Sequence, residues 1–501
     1  ARSVPGQCQV SARSVPGQCQ VSARSVPGQC QVGARSAPGT NLAPEPRKAT
    51  ADCYHCAQMS KDFAPAELLN PAIWIIRRLH QAGHEAFVAG GAVRDYCMGR
   101  PQSDLDIATS ARPEEVRALF PRTFAVGEAF GVVIVPHQGR NFEVATFREE
   151  ADYRDGRHPD TVRYANARAD VARRDFTING MLWEVESATL LDWVGGEADV
   201  RARLVRTIGD PLQRFGEDKL RLLRALRFAA QLDFIIEDET LRAMKELAPG
   251  IRAVSLERVR QEMDKLLAAP AVARGLELLH TSGLWIVLRG WLAQEAQVLS
   301  QKQELQLGGE SGTPWLQAWK DAADQPLLPR SSPCAFQALL LDAAAWPASQ
   351  FHPNQERAVG SALQALVRAL RGSRPELAQA RNMATLLCAL RELATFSLAD
   401  QLRLQRLPEF PWAQALARHH PAFAKAPFAL MDENVARHQN RWHPKPLLSG
   451  NDMMAMGIPP GPMLGQVMRQ QESAQLEGRM ESLDQARALV QDALRATGIA
   501  S

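Results

Sequence analysis

Two aspartates two residues apart, Asp104 and Asp106 in the run SDLDIAT, are the most chemically suggestive feature of this 501-residue chain. On a strand the side chains alternate between faces, so both carboxylates project from the same side. Neighbouring anions repel until a cation neutralises them, and carboxylate oxygens suit a hard ion such as Mg²⁺. The pair reads as a metal clamp, although in isolation the better reading would be an exposed acidic strand end. About a dozen residues upstream stands Gly90-Gly91, whose missing side chains let backbone N–H groups approach a phosphate, with Arg94 just beyond. Glu143, between Phe142 and Val144 in a second apparent strand, supplies a third carboxylate. Such a set suits two-metal phosphoryl transfer, in which one ion lowers the pKa of an attacking hydroxyl and the other holds the triphosphate and the leaving oxygen.

These groups need a scaffold, and the hydrophobic periodicity supplies one. PAELLNPAIWIIRRLHQAG carries Leu68, Leu69, Ile73, Ile76 and Leu79 at helical spacing and closes at Gly83. EAFVAGG reads as a strand entering a Gly-Gly turn, AVRDYCMG as a short helix, and SDLDIAT, GVVIVPH and NFEVATF as strands, with LLDWVGG closing the alternating region. From about Leu204 the pattern turns helical almost throughout, most clearly in EDKLRLLRALRFAAQL and LERVRQEMDKLLAA. Strands followed by helices predict an α+β chain, a mixed β-sheet head followed by all-α parts.

Composition sets outer bounds. The length predicts two to four domains, and 58 Lys+Arg against 55 Asp+Glu give a net charge of +3, too small by itself to identify a polyanionic partner. No apolar run approaches the roughly 18 to 20 residues of a membrane span. The eight cysteines do not form a dense framework, which predicts a reducing, cytoplasmic compartment. Cys53 and Cys56 flank His55, but no second Cys/His pair follows at zinc-finger spacing, so they read as incidental thiols. Residues 1–44 are four copies of an 11-residue unit with Pro-Gly in each, too poor in large apolar residues to fold; residues 1–60 are expected to be disordered repeats and linker without a part in the chemistry. Residues 300–333, rich in Gln, Gly, Ser and Pro, read as a loop or insertion.

Six ordered stretches carry a family resemblance. FVAGGAVRDYCMGRPQSDLDIAT is similar to the head motif of the class II tRNA nucleotidyltransferase and bacterial poly(A) polymerase family, within the polymerase β superfamily. FEVATFR, YRDGRHPDTVRY, ARRDFTING, GEDKLRLLRALRFAAQLDF and SLERVRQEM follow in the family's order, and PLLSGNDMMAMGIPPGPMLGQVMRQQESAQLEG resembles the tail of CCA- or A-adding members. The resemblance covers about residues 63–495. It implies a polymerase-β-like head over 61–203, a helical neck for base recognition over 204–270, and a helical body and tail binding tRNA over 271–501. It also implies that Asp104 and Asp106 hold Mg²⁺ with Glu143 completing the acidic site, that Gly90, Gly91 and Arg94 lie along the triphosphate, and that Arg173, Arg174 and Asp175 contact the nucleotide. A surface salt-bridge cluster is the other reading of those arginines.

Asp218 and Arg221, at i and i+3, are expected on one helix face. Cytosine and adenine both display an amino donor beside a ring-nitrogen acceptor, so a carboxylate and a guanidinium together match them, whereas uracil and guanine would leave Asp218 facing a carbonyl. The family selects CTP and ATP in this way. An ordinary helical ion pair is the alternative. Arg224 and Arg227 continue the face toward phosphate or nearby acids such as Glu217, and Glu257, Arg258 and Glu262 match an ERxxxE motif that braces the nucleotide-binding helix. Between residues 401 and 446, seven Lys/Arg against three acids suggest a patch tracking the tRNA backbone, or simply a basic surface.

Within the family three activities compete: CCA addition, addition of the terminal A alone, and poly(A) synthesis. The loop between Glu143 and Arg173 is present, which argues against pure CC addition. FPRTFAVGEAFGVVIV stands where poly(A) polymerases carry a GRRF-like stretch, and LVQDALRATGIAS is not strongly basic; both favour a tRNA enzyme. No His-Asp dipeptide marks an HD phosphohydrolase domain. The expectation is a Mg²⁺-dependent CCA- or A-adding enzyme using CTP and ATP on tRNA, with a poly(A) polymerase as the alternative and an inactive RNA-binding relative further behind. No protein partner can be inferred from the sequence.

Overall fold

The computed structural model describes residues 63–125, 131–153, 159–300, 318, 356–438 and 443–496. The N-terminal repeats, the Cys53–Cys56 pair and most of the 300–333 segment lie outside the described residues.

Helix α1 (Ala66–Gln81) buries Leu68, Ala72, Ile75, Ile76 and Leu79, the three-to-four spacing of one face. It stops where Gly83 turns to φ +87°, with the Gly83 and His84 N–H groups donating to the carbonyls of His80 and Leu79. Then come β1 (Ala86–Ala89), α2 (Gly91–Cys97), β2 (Asp106–Thr109), α3 (Pro113–Leu119), β3 (Phe124–Ala125), β4 (Val132–His137) and β5 (Arg140–Thr146). A separate hairpin of β6 (Arg148–Tyr153) and β7 (Pro159–Tyr164) carries the YRDGRHPDTVRY stretch, whose tip, 154–158, is outside the described residues. Helix α4 (Ala167–Ala172), a 3₁₀ turn over Thr177–Asn179, β8 (Met181–Glu184), β9 (Thr189–Asp192) and α5 (Gly196–Arg201) complete the head.

Seven strands form one mixed sheet in the order β3-β4-β5-β2-β1-β8-β9. Its one parallel pair, β2 with β5, pairs Ile107 with Val144 and thereby sets Asp106 one strand away from Glu143. Strand β2 begins only at Asp106, so Asp104 precedes the strand expected over SDLDIAT. The alternation survives: Leu105 and Ile107 are buried, while Asp104 and Asp106 are exposed.

Beyond the head the described residues are helical apart from one short ribbon. Strands β10 (Leu204–Val205) and β11 (Ile235–Ile236) pair in parallel, a ribbon inside the region expected to be wholly α. The helix expected over EDKLRLLRALRFAAQL is broken into α6 (Pro211–Glu217) and α7 (Leu220–Leu232), because Asp218 adopts φ −141° and its carboxylate accepts from Leu220 N–H, as a capping residue does. Helices α8 (Asp238–Leu247), α9 (Leu256–Leu267), α10 (Val272–Thr281) and α11 (Leu284–Ser300) follow, and helices continue through 356–438 and 450–496. One hydrophobic core runs from Phe63 to Met431, and a second gathers residues 448–494. Among the described residues no helix is long and apolar enough to cross a membrane.

Packing accounts for Gly180 and Trp183. A Cβ at Gly180 would lie 2.8 Å from both Ile208 Cδ1 and Val194 Cγ2, so no side chain fits there without movement. Trp183 is 3% exposed, stacks on Phe63 with ring centroids 5.0 Å apart and meets Tyr96 at 5.1 Å, joining β8 to the start of the fold.

Candidate active site

A cavity of about 700 Å³ opens between the sheet's Gly90 turn and helix α7. Eight arginines line it (Arg94, Arg148, Arg173, Arg174, Arg221, Arg224, Arg227 and Arg258), against the three carboxylates of Asp106, Asp175 and Asp218. Such a surplus of fixed guanidinium charge suits a polyanion.

Gly90 makes the turn at φ +71°, and a Cβ there would stand 3.7 Å from Asp106 Oδ2 and 3.8 Å from Arg174 Nη1. A bare backbone thus lies against the acidic end of β2. Asp106 keeps solvent access, yet burial of its carboxyl, followed by the charge of Glu143, pushes its pKa up to about 6; Asp104 adds to the rise and Arg174 opposes it. Asp104 and Glu143 do not line the cavity. Among the described residues no three His, Cys, Asp or Glu side chains converge closely enough to hold a metal ion, so the expected triad is not drawn together as a closed cage. The donor chemistry still fits a hard divalent cation, because Asp106 feels both neighbouring anions and Arg174 offsets them only in part.

The RRDFT arginines are held from below by a residue the sequence reading missed. Asp170, 2% exposed, takes Arg173 at 2.6 Å on one oxygen and Arg174 at 3.0 Å on the other. Burial works to raise its pKa, but the two guanidinium charges outweigh it and hold the carboxyl low. The signal was available: in ADVARRD the aspartate precedes the arginines by three and four positions along a helix. Asp175 is fully engaged, with Arg224 Nη2 2.6 Å from Oδ2 and Phe176 N–H donating to Oδ1 at 2.8 Å. Its burial is likewise outweighed by Arg224, and its pKa is lowered.

The neck contributes the opposite wall. Asp218 and Arg221 both line the cavity, though not as one helix face. Asp218 Oδ2 accepts from Arg258 Nη2 at 2.8 Å. Arg221, 8% exposed, donates to Glu217 Oε2 at 2.6 Å and to the carbonyls of Arg214 and Arg173. Arg224 pairs with Asp175 and Arg227 with Glu262 at 2.6 Å, so neither is partnered by Glu217. Of the ERxxxE residues, Arg258 lines the cavity and Glu262 holds the cavity's Arg227 from behind, while Glu257 lies 3.5 Å from Arg371.

Phe228 and Asn179 also escaped the sequence reading. The Phe228 ring lies 3.9 Å from the Arg227 guanidinium carbon, 5.5 Å from that of Arg224 and 5.6 Å from that of Arg94, a cation–π hub joining head to neck. Asn179 Oδ1 accepts from Arg94 at 2.9 Å, and Arg94 also pairs with Asp95. In the basic run 401–446, Arg403 and Arg406 are taken by Glu472, Arg418 by Asp432 and Arg437 by Glu433. Arg441 and Trp442 fall outside the described residues.

A mixed sheet that brings Asp106 and the Gly90 turn to an arginine-lined cavity suits nucleotidyl transfer, and similarity to known proteins points the same way. Residues 86–206 match the family described as Poly A polymerase head domain, and residues 233–289 the one described as Probable RNA and SrmB-binding site of polymerase A. The CCA-adding enzyme of Geobacillus stearothermophilus is 41% identical over 266 residues, 50% of this chain and 66% of that protein; that of Geobacillus kaustophilus is 46% identical over 229 residues, 46% and 56% of the two chains. The chain thus matches roughly half to two thirds of the length of these curated relatives. The crystal structure of the Bacillus stearothermophilus CCA-adding enzyme in complex with CTP superposes over 86% of this chain and 99% of its own at TM-score 0.58 and 28% identity. A Thermotoga maritima CCA-adding enzyme complexed with tRNA, at 17% identity, TM-score 0.59 and coverage of 88% and 98%, shows the fold alone. Residues 86–206 thus form a poly(A) polymerase-type head domain and residues 233–289 its RNA-binding domain, as in class II nucleotidyltransferases, enzymes that are as a rule metal-dependent.

Proposed function

We propose that the protein adds CMP and AMP, up to a CCA end, to the 3′ terminus of tRNA without a nucleic-acid template. The observation that carries this reading is the meeting of Gly90, Gly91 and Asp106 from the head with Asp218 and Arg221 from the neck in one cavity. The names of the curated relatives support the choice of tRNA over poly(A) synthesis.

Asp104 and Asp106 would hold Mg²⁺, with Glu143 alongside. When bound, the ion supplies positive charge that eases deprotonation of the tRNA 3′-hydroxyl and departure of pyrophosphate. The Gly90-Gly91 turn gives the triphosphate close access to backbone N–H groups, and Arg94, Arg173, Arg174, Arg224 and Arg227 take its oxygens. Asp170, Asn179 and Phe228 hold those guanidinium groups in place before substrate arrives. Asp218 accepts from the amino group of cytosine or adenine, while Arg221 donates to the ring nitrogen. Arg258 keeps the Asp218 carboxylate satisfied when no base is present, and Glu262 braces α9 against α7 through Arg227, whereas Glu257 pairs with Arg371.

We assign catalysis to residues 61–203, base recognition to 204–270 and tRNA binding to 271–501, and place the enzyme in the cytoplasm with its substrate. The test is to supply tRNA transcripts ending at the discriminator base, at C and at CC with CTP, ATP or both, and to sequence the 3′ ends. Growth of all three to CCA and no further upholds the proposal. Extension of the CC transcript alone makes the protein an A-adder, and long A tails make it a poly(A) polymerase.

A further inference from the structure

Four side chains form one row across the outer face of the head sheet. The register sets Phe124 opposite Ile134 and Ile134 opposite Glu143. The parallel pairing of Ile107 with Val144 then brings Glu143 level with Asp106 on the neighbouring strand. Residues directly opposite each other share a face, and this face is turned away from the buried Val133, Val144 and Ile107. The row Phe124, Ile134, Glu143, Asp106 therefore crosses three strand spacings, roughly 14 Å. Its outer end is open: Phe124 is 59% exposed, Ile134 is half-buried and Glu143 is exposed. A single exposed ring would mean little, but this one stands in line with the acidic end of β2.

Asp106 is where the row meets the nucleotide cavity. Gly90 and Gly91 follow β1, on one side of β2, while β5, β4 and β3 lie on the other. Neither Glu143, Ile134 nor Phe124 lines the cavity. In an in-line displacement the attacking oxygen and the leaving pyrophosphate stand on opposite sides of the α-phosphorus. With the triphosphate on the Gly90 side of Asp106, the RNA 3′-oxygen has to arrive from the β5 side, over this row. It bonds to the α-phosphorus as the bond to pyrophosphate breaks, and its proton passes to water.

The chemistry of the row decides which part of the RNA it meets. Its four residues include no cation and Glu143 repels phosphate, so the sugar-phosphate backbone is disfavoured along it. A base, by contrast, presents a flat π-face to an aromatic ring whatever its sequence. We propose that Phe124 and Ile134 form the acceptor subsite, in which the base a nucleotide or two behind the reacting 3′-hydroxyl packs on the Phe124 ring. The terminal nucleotide then spans Ile134 and Glu143. The substrate is an RNA whose last few bases are unpaired, because a duplex end would keep those faces stacked on one another. This deepens the activity proposed above and rests on it. Addition of a strand from another chain at the β3 edge is disfavoured, since β3 has only two residues.

Stacking and turnover are read separately in the full chain. A tRNA transcript ending in CC carries 2-aminopurine, whose fluorescence falls when it stacks, at one of the two positions before its terminal nucleotide. Binding is followed to saturation with Mg²⁺ and no nucleotide. Wild type is expected to quench the probe at one of these positions, Phe124→Ala to lose that quenching and Phe124→Tyr to keep it. In steady state with ATP, Phe124→Ala should raise KM for the transcript about tenfold, the worth of one stacked base. KM for ATP should stay within about twofold, and Phe124→Tyr should behave as wild type. Because the ring is exposed, all three proteins should melt alike. A wild type that quenches the probe yet does not add a terminal A keeps the subsite and loses the proposed activity. Quenching at neither position, quenching unchanged in Phe124→Ala, or an equal rise in both KM values would overturn the subsite. So would a Phe124→Ala protein altered only in its sedimentation coefficient, which would make the face a contact between copies.

Discussion

Asp106 sits where burial, a neighbouring anion and a backbone turn meet. Burial and the Glu143 charge raise its pKa to about 6, so at pH 7 roughly nine-tenths of the carboxyl is ionised and at pH 5 roughly a tenth. A divalent cation competes with that proton, and the Mg²⁺ concentration giving half-maximal activity should rise about tenfold between pH 7 and pH 5, which metal titrations of initial rate at the two pH values will measure. Asp106→Asn removes the charge but not the shape. It should lower kcat by about 10³-fold, the loss of several kcal/mol of transition-state stabilisation, with KM for CTP and the melting temperature nearly unchanged. A comparable fall in melting temperature would mean that the residue serves the fold. The shared face of Asp104 and Asp106 was legible in the sequence, because the DxD spacing and the alternation with buried Leu105 and Ile107 fix it. Asp170 was legible too, in the three- and four-residue spacing to the arginines it holds. The role of Phe228 was not, because nothing in its own neighbourhood announces a partner such as Arg94, which is more than 100 residues away.

Helix and strand patterns were read correctly where one hydrophobic period rules and missed where a polar residue breaks it. Helix α1 and the main strands follow their apolar spacing. The break at Asp218 does not, because a capping carboxylate acts through one hydrogen bond, to Leu220 N–H at 2.9 Å, that leaves no mark on periodicity. The break has a consequence: Asp218 leaves the α7 face and reaches Arg258 on α9, while Arg221 stays on α7 and reaches Glu217. Gly180 shows the same limit for packing. Its neighbours Ile208 and Val194 are remote from any local pattern, yet they leave no room for a methyl group. Gly180→Ala should cost about 1–3 kcal/mol in urea denaturation through overpacking. A neutral result would mean that Ile208 and Val194 yield freely, and that the 206–210 segment under Asp175 is softer than its hydrogen bonds suggest.

Across the whole molecule, charges that look available in the sequence are committed over long distances. Arg403 is bound to Glu472 and Arg260 to Glu376, pairs that no local reading could supply, so the net charge of a stretch such as 401–446 overstates what it can offer to a polyanion. The helical body also carries a pH liability. His420 is 4% exposed, with its ring edge-on to Phe423, and burial pushes its pKa down to about 4. The unfolded chain takes up this proton near pH 6.5 and the folded chain only near 4, so the contribution is fully present above 6.5 and is lost as pH falls through that window. The loss should reach about 2 kcal/mol by pH 5, read as a larger drop in urea midpoint between pH 7.5 and pH 5 for the wild type than for His420→Leu. The nucleotide cavity depends on the same long-range organisation, since head and neck each supply one of its walls. The most direct measurement of that claim is single-nucleotide incorporation by wild type and Asp218→Ala, with CTP, ATP, UTP and GTP offered separately to a tRNA transcript. Asp218→Ala should reduce the preference for CTP and ATP by about 10- to 100-fold, the worth of one charged base contact, while transfer itself continues. Unchanged preference in a folded, active variant would contradict base choice by this carboxylate.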